Sequence, residues 1–130
     1  MEKINSKQDL INYFEKGCKK ENQLSIGVEH EKFIFDNSTN QRANFEVISK
    51  VFNFLEKFGW KQKKERDYVI GLSREGQSIT LEPGNQIELS GAKLNSIHLN
   101  CSESYKYLDE LKMACKKLNL NFFIKSFSEI

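Results

Sequence analysis

The sequence predicts an α+β fold, an antiparallel sheet with packed helices, in one domain covering residues 1–130. Two observations carry this. Apolar residues recur at helical spacing in three separate stretches, while the runs between them are strand-like. Several of those runs are joined by hairpin turns, which makes neighbouring strands antiparallel. A chain of 130 residues is long enough to bury roughly two-thirds of the surface its unfolded form exposes, so a core needs no disulfide or metal staple.

The first helix starts where Ser6 precedes Asp9 in a capping arrangement, carries Leu10, Ile11, Tyr13 and Phe14 at helical spacing, and meets a stop at Gly17. A strand follows over residues 25–35. Residues 45–58 form the second helix, because Val47, Ile48, Val51, Phe52, Leu55 and Phe58 keep the 3.6 period and Gly59 stands where a left-handed cap is wanted. Further strands are predicted over residues 68–72, 78–82 and 86–90, with Arg74-Glu75-Gly76-Gln77 and Pro83-Gly84-Asn85 as turns. The third helix covers residues 95–118 on the stripe Leu94, Ile97, Cys101, Tyr105, Leu108, Leu111, Cys115 and Leu118. Such a stripe also suits a coiled coil, but packing on a sheet of the same chain is the favoured reading. A strand over residues 120–124 follows, with six residues after it and nothing to cover it, as expected of a larger protein cut short.

Charge excludes some partners. Twenty Lys and Arg against 18 Asp and Glu leave a net charge of +2, too weak a field to argue for nucleic acid or an anionic membrane. The cluster Lys61, Lys63, Lys64 and Arg66 is interrupted by Glu65 and Asp67 and lacks interleaved aromatics to stack bases, so it reads as a solvated turn or edge. Ten Phe and a 38% hydrophobic content argue against disorder. Cys18, Cys101 and Cys115 lack the close pairing of a zinc site or redox dithiol. They read as reduced thiols, with Cys101 and Cys115 as small buried hydrophobes on the third helix. Residues 1–8 contain no apolar stretch for a signal peptide or membrane span, so the expected location is cytoplasmic.

The carboxylates are the candidates for chemistry. In Gly27-Val28-Glu29-His30-Glu31-Lys32-Phe33, alternate side chains share a face, which sets Glu29 beside Glu31. Paired carboxylates repel unless something compensates, and a hard cation such as Mg²⁺ takes oxygen ligands of this kind. A solvated sheet face, with His30 and Lys32 on the other side, is the favoured reading of the pair taken by itself. The hairpin over residues 78–90 is more informative. A two-residue loop mixes polar and apolar side chains on each face, whereas the three-residue loop Pro83-Gly84-Asn85 pairs Leu81 with Ile87 and Ile79 with Leu89. Thr80, Glu82, Gln86, Glu88 and Ser90 then share one face, with Glu82 and Glu88 about 7–8 Å apart at the backbone. If the strand bearing Glu29 and Glu31 joins the same sheet, four carboxylates converge.

Both segments, Gly27 through Phe33 and residues 78–91, resemble the signature stretches of glutamate-cysteine ligase of the plant and alphaproteobacterial type. Leu10 to Lys19, Phe58-Gly59-Trp60 and the long helix resemble further parts of the family in order. Asn85, Ile87 and Ile34 depart from its pattern, and none of these departures removes a carboxylate. The resemblance implies a fold similar to part of the glutamine synthetase catalytic sheet, with ATP and Mg²⁺ as cofactors and glutamate and cysteine as substrates. The implied reaction forms a γ-glutamyl phosphate that the cysteine amine attacks, the first step of glutathione biosynthesis. Glu29, Glu31, Glu82 and Glu88 become the implied metal ligands and catalytic residues, and Gln86 a residue contacting substrate or orienting a ligand. Family members are considerably longer, which implies a missing C-terminal portion supplied as a separate chain or lost. A non-catalytic regulatory or dimerising module, and a ligase for another amine, remain alternatives.

Overall fold

The computed structural model describes residues 3–123. Helix α1 (Lys7–Gly17) is followed by strand β1 (Glu29–Asp36), helix α2 (Phe45–Leu55), strands β2 (Lys61–Glu65), β3 (Tyr68–Arg74), β4 (Gln77–Glu82) and β5 (Gln86–Ser90), helix α3 (Ile97–Leu118) and strand β6 (Leu120–Phe123). The six strands form one sheet in the order β2-β3-β4-β5-β1-β6, antiparallel at every pairing. The α+β class holds. Ile124, assigned to the last strand by the sequence reading, lies outside the described residues.

The helix ends follow local chemistry. Ser6 accepts from the Asp9 amide at 3.1 Å and Asn44 from the Val47 amide at 3.0 Å, each satisfying one of the otherwise unpaired amides of a first turn. Helix α2 tightens into a 3₁₀ turn, Glu56–Phe58, and Gly59 closes it with a φ of 87°, the left-handed cap a glycine takes without steric cost.

The core lies on one face of the sheet. Ile34, Leu72, Ile79, Ile87 and Leu89 pack against Ile48, Val51, Phe52 and Leu55 of α2 and Tyr107, Leu111 and Ala114 of α3. The α3 stripe is displaced from the predicted one. Asn100, Tyr107, Glu110, Leu111, Ala114 and Cys115 are buried, whereas Ile97, Cys101 and Tyr105 are exposed. Polar residues on the buried stripe hid it from a hydrophobicity pattern. Cys101 is therefore a correction: it is an exposed thiol, while Cys115 is buried and burial pushes its pKa up to about 12. Helix α1 buries nothing.

Strand β2 is the element the pattern missed. Lys61-Gln62-Lys63-Lys64-Glu65 has no apolar alternation, yet it pairs with β3 as an edge strand, where lysines discourage pairing with another chain. The register slips between Lys63 and Lys64. In adjacent β3, a Cβ on Gly71 would lie 2.6 Å from the Ile79 carbonyl oxygen. Gly71→Ala is expected to destabilise the fold by about 1–3 kcal/mol, the usual cost of overpacking, read as a lower urea midpoint. Tyr107 is buried with its hydroxyl unpartnered among the described residues, and burial raises its pKa. A buried hydroxyl without a partner costs stability, so Tyr107→Phe is expected to stabilise the fold by about 1 kcal/mol, read as a higher urea midpoint.

Candidate active site

Hairpin β4–β5 has the three-residue loop. Leu81 pairs with Ile87, Ile79 with Leu89, and Glu82 with Gln86, while Asn85 adopts a φ of 60° and Gly84 one of 74°. Strand β1 lies beside β5, with Glu29 opposite Ser90, Glu31 opposite Glu88 and Phe33 opposite Gln86. Directly opposed residues share a face, so Glu29, Glu31, Glu82 and Glu88 all sit on the face turned away from α2 and α3. They occupy three successive rungs, about 7 Å apart along the strands.

Glu31 and Glu88 form the centre. Directly opposed residues have Cβ atoms about 4.5–5.5 Å apart, where like charges destabilise a sheet. The Gln86 amide donates a hydrogen bond to the Glu31 carboxylate, and the Ser90 hydroxyl donates to Glu88 Oε1 at 3.0 Å. Among the described residues the ion pairs are Arg74–Glu110 and Lys112–Asp109, so none of the four carboxylates has a cationic partner. Oxygen donors without a counter-charge are the donor set a hard cation takes. Among the described residues no three carboxylate, imidazole or thiol groups lie close enough to hold a metal by themselves. The arrangement fits Mg²⁺ in the kind of donor, as one opposed pair flanked by Glu29 and Glu82.

Neighbouring groups shape this face. A cleft of about 520 Å³ bordered by Lys19, Gly27, Glu29, Ser90, Gly91 and Lys93 opens at the Glu29 end. Beyond β5, Glu103 of α3 accepts from the Ala92 amide through both oxygens at 3.1 and 3.2 Å, and a Cβ on Gly91 would collide with that carboxylate. At the opposite end, Arg42 donates from Nη2 to the Gly84 carbonyl at 2.8 Å and stacks on the Phe33 ring, 4.0 Å from Cζ to centroid. Asn85 Nδ2 reaches the Ala43 carbonyl at 3.3 Å. Neither Arg42 nor Glu103 was legible in the sequence: Arg42 follows a polar loop without periodicity, and Glu103 lies off the apolar stripe.

Beneath the carboxylates, His30 and Lys32 face the core. His30 Nε2 lies 3.3 Å from the Ser104 hydroxyl, and burial followed by the charge of Lys32 lowers its pKa. Lys32 is only 1% exposed, and burial lowers its pKa as well.

Residues 25–128 match glutamate-cysteine ligase family 2 (GCS2), a stretch containing all four carboxylates. The chain is similar to the chloroplastic glutamate-cysteine ligase of Medicago truncatula, at 42% identity over 118 residues, 90% of this chain and 23% of the relative. The chloroplastic enzyme of Arabidopsis thaliana is 39% identical over 118 residues, with the same coverage of 90% and 23%. Chloroplastic glutamate-cysteine ligase A of Oryza sativa subsp. japonica is 40% identical over 118 residues, covering 90% of this chain and 24% of the relative. The chain thus spans about a quarter of the length of these relatives. Their names overturn the expectation of a cytoplasmic protein, because they are chloroplastic enzymes. No described helix is long and apolar enough to cross a membrane. With a family match over residues 25–128, from just ahead of β1 to beyond β6, the chain belongs to glutamate-cysteine ligase family 2.

Proposed function

We propose that this chain supplies the carboxylate-bearing sheet of an ATP- and Mg²⁺-dependent ligase that joins the γ-carboxylate of glutamate to the amine of cysteine. The observation that carries the reading is the opposed pair Glu31 and Glu88, without a cationic partner on an open sheet face, inside the family-matching segment. Glu31 and Glu88 hold a divalent cation, and Glu29 and Glu82, on the rungs to either side, hold it or a second one. Bound there, Mg²⁺ supplies neutralisation of the ATP phosphate charge.

The chain's own residues orient and compensate. The Gln86 amide holds the Glu31 carboxylate, and the Ser90 hydroxyl holds that of Glu88, so both are fixed as outer-sphere partners fix metal ligands. In the reaction, a γ-carboxylate oxygen of glutamate attacks the γ-phosphorus of ATP and ADP leaves. The cysteine amine then attacks the acyl carbon, phosphate leaves, and the amine loses a proton as the amide forms. The remainder of the ligase, corresponding to the larger part of the relatives' length, completes the site as a covalent continuation or a separate chain. The relatives' location favours a plastid for the assembled ligase.

Formation of γ-glutamylcysteine from ATP, glutamate and cysteine tests this, using the chain alone and the chain combined with the remaining segment of a relative. Mg²⁺-dependent product that disappears in Glu31→Gln supports the proposal. Absence of product in both arrangements, together with no Mg²⁺ binding by calorimetry, would sink it.

A further inference from the structure

We propose that Arg42 is an oxyanion-binding residue of the carboxylate face, taking a carboxylate or phosphate group of a substrate whose cation is held by Glu31 and Glu88. This rests on the function proposed above. Its basis is how this guanidinium is held. The segment carrying Arg42 extends the sheet past the start of β5: Arg42 forms a bridge with Phe35, and the Ala43 amide donates to the Ile34 carbonyl at 2.8 Å. Bridge partners share a face, and Phe35 alternates with Phe33, Glu31 and Glu29 along β1. Arg42 therefore stands on the carboxylate face, one rung beyond Gln86 and Glu82.

An exposed arginine ordinarily samples many rotamers, and ordering such a side chain costs about 2 kcal/mol. Arg42 is held at two points instead, by its stack on Phe33 and by the hydrogen bond from Nη2 to Gly84. Gly84 makes room for this contact: a Cβ there would lie 3.1 Å from Arg42 Nη2. A guanidinium presents five donors, and the bond to Gly84 uses one. No carboxylate comes within ion-pair distance among the described residues, and Glu31 takes its hydrogen bond from Gln86 instead. A pre-positioned planar cation with open donors, beside acids that do not neutralise it, matches a ligand that has an oxyanion at one end and a cation at the other. Both glutamate and the ATP phosphates have that chemistry once Mg²⁺ is present.

The test follows the arginine Nε–Hε signals of the 130-residue chain by NMR, first with Mg²⁺ alone and then with inorganic phosphate, L-glutamate and Mg-ATP at millimolar concentration. The Arg42 signal is expected to shift saturably. A response to phosphate and Mg-ATP alone assigns the site to the phosphoryl group; a response to glutamate alone assigns it to the amino-acid carboxylate. Arg42→Ala should weaken binding of the responding anion about tenfold or more, the loss of one or two charge-assisted hydrogen bonds. Arg42→Lys should recover only part of it, because an ammonium keeps the charge but not the planar fork. Mg²⁺ shifts at Glu31 and Glu88 should persist in both variants. An Arg42 signal indifferent to all three anions overturns the inference while leaving those Mg²⁺ shifts to support the ligase reading. So does an Arg42→Ala chain that melts earlier yet binds the anions with unchanged affinity, since Arg42 would then only brace the Gly84 loop. Absence of Mg²⁺ shifts at the carboxylates would instead count against the ligase reading.

Discussion

Replacing Glu110 by alanine is expected to destabilise the chain by about 3–5 kcal/mol, enough to remove much of the stability of a domain this size. Glu110 and Arg74 are paired at 2.7 Å with side chains only 6% and 5% exposed. The same carboxylate accepts from Trp60 Nε1 at 2.8 Å, and Arg74 Nη1 also donates to the Phe58 carbonyl at 2.9 Å. The guanidinium lies over the Trp60 ring at 4.2 Å. One acid thus ties α3 to β3 and to the residue after the α2 cap. Its removal leaves a buried cation without its counter-charge and an indole N–H without its acceptor, and both penalties are large in a low-dielectric interior. Arg74 Nε and Nη2 already have no hydrogen-bond partner among the described residues, so no neighbouring side chain stands ready to replace the carboxylate. The double variant Arg74→Met with Glu110→Leu removes both charges and should recover most of the loss, because apolar replacements of buried pairs are often neutral or stabilising. Urea unfolding of the two single variants and the double one measures the coupling. A loss below about 1 kcal/mol in Glu110→Ala would show that water reaches the pair and that it behaves like a surface ion pair.

The second large effect is on function, and it should run opposite to stability. Glu31→Gln keeps the shape of the side chain and removes one of two directly opposed charges. Relief of repulsion should stabilise the sheet by about 0.2–1 kcal/mol, while Mg²⁺ affinity and ligation fall by more than about 100-fold, beyond the cost of losing an outer-sphere partner. Gln86→Ala serves as the graded comparison. It leaves the charges in place but frees the Glu31 carboxylate from its amide donor, so the expected loss is about 10–100-fold. Calorimetric Mg²⁺ titration and thermal melts on the same preparations separate the two signs. If Glu31→Gln leaves Mg²⁺ affinity unchanged while stability shifts, the carboxylate is a structural group and the metal assignment fails.

The hairpin shows why this part of the site was legible. Strand pairing flips every side chain if it slips by one residue, and only the Pro83-Gly84-Asn85 loop keeps Ile79, Leu81, Ile87 and Leu89 on one face. That single constraint also aligns Glu82, Gln86 and Glu88 from the residues alone, and the register in the sheet agrees. Helix α2 was equally plain, because its apolar residues follow the period that faces the core. Strand β2 and the N-terminal half of α3 were not. At β2 the lysines suit an exposed edge and give no alternation. In α3, Asn100 and Glu110 are buried among apolar residues, while Ile97 and Tyr105 stay outside.

What the sequence determined by itself depends on neighbours a few residues apart: the caps at Ser6 and Gly59, the hairpin register, the alternation that sets Glu29 beside Glu31, and the motifs that mark the family. Tertiary structure decided which strands lie side by side. It set β1 against β5 so that Glu31 faces Glu88, brought Arg42 to Gly84 and Phe33 across 42 and 9 positions of chain, and joined Arg74 to Glu110. The physical reason is that alternation and helical period are fixed by backbone geometry within one element, whereas the choice of sheet neighbour depends on burial and pairing summed over the whole chain.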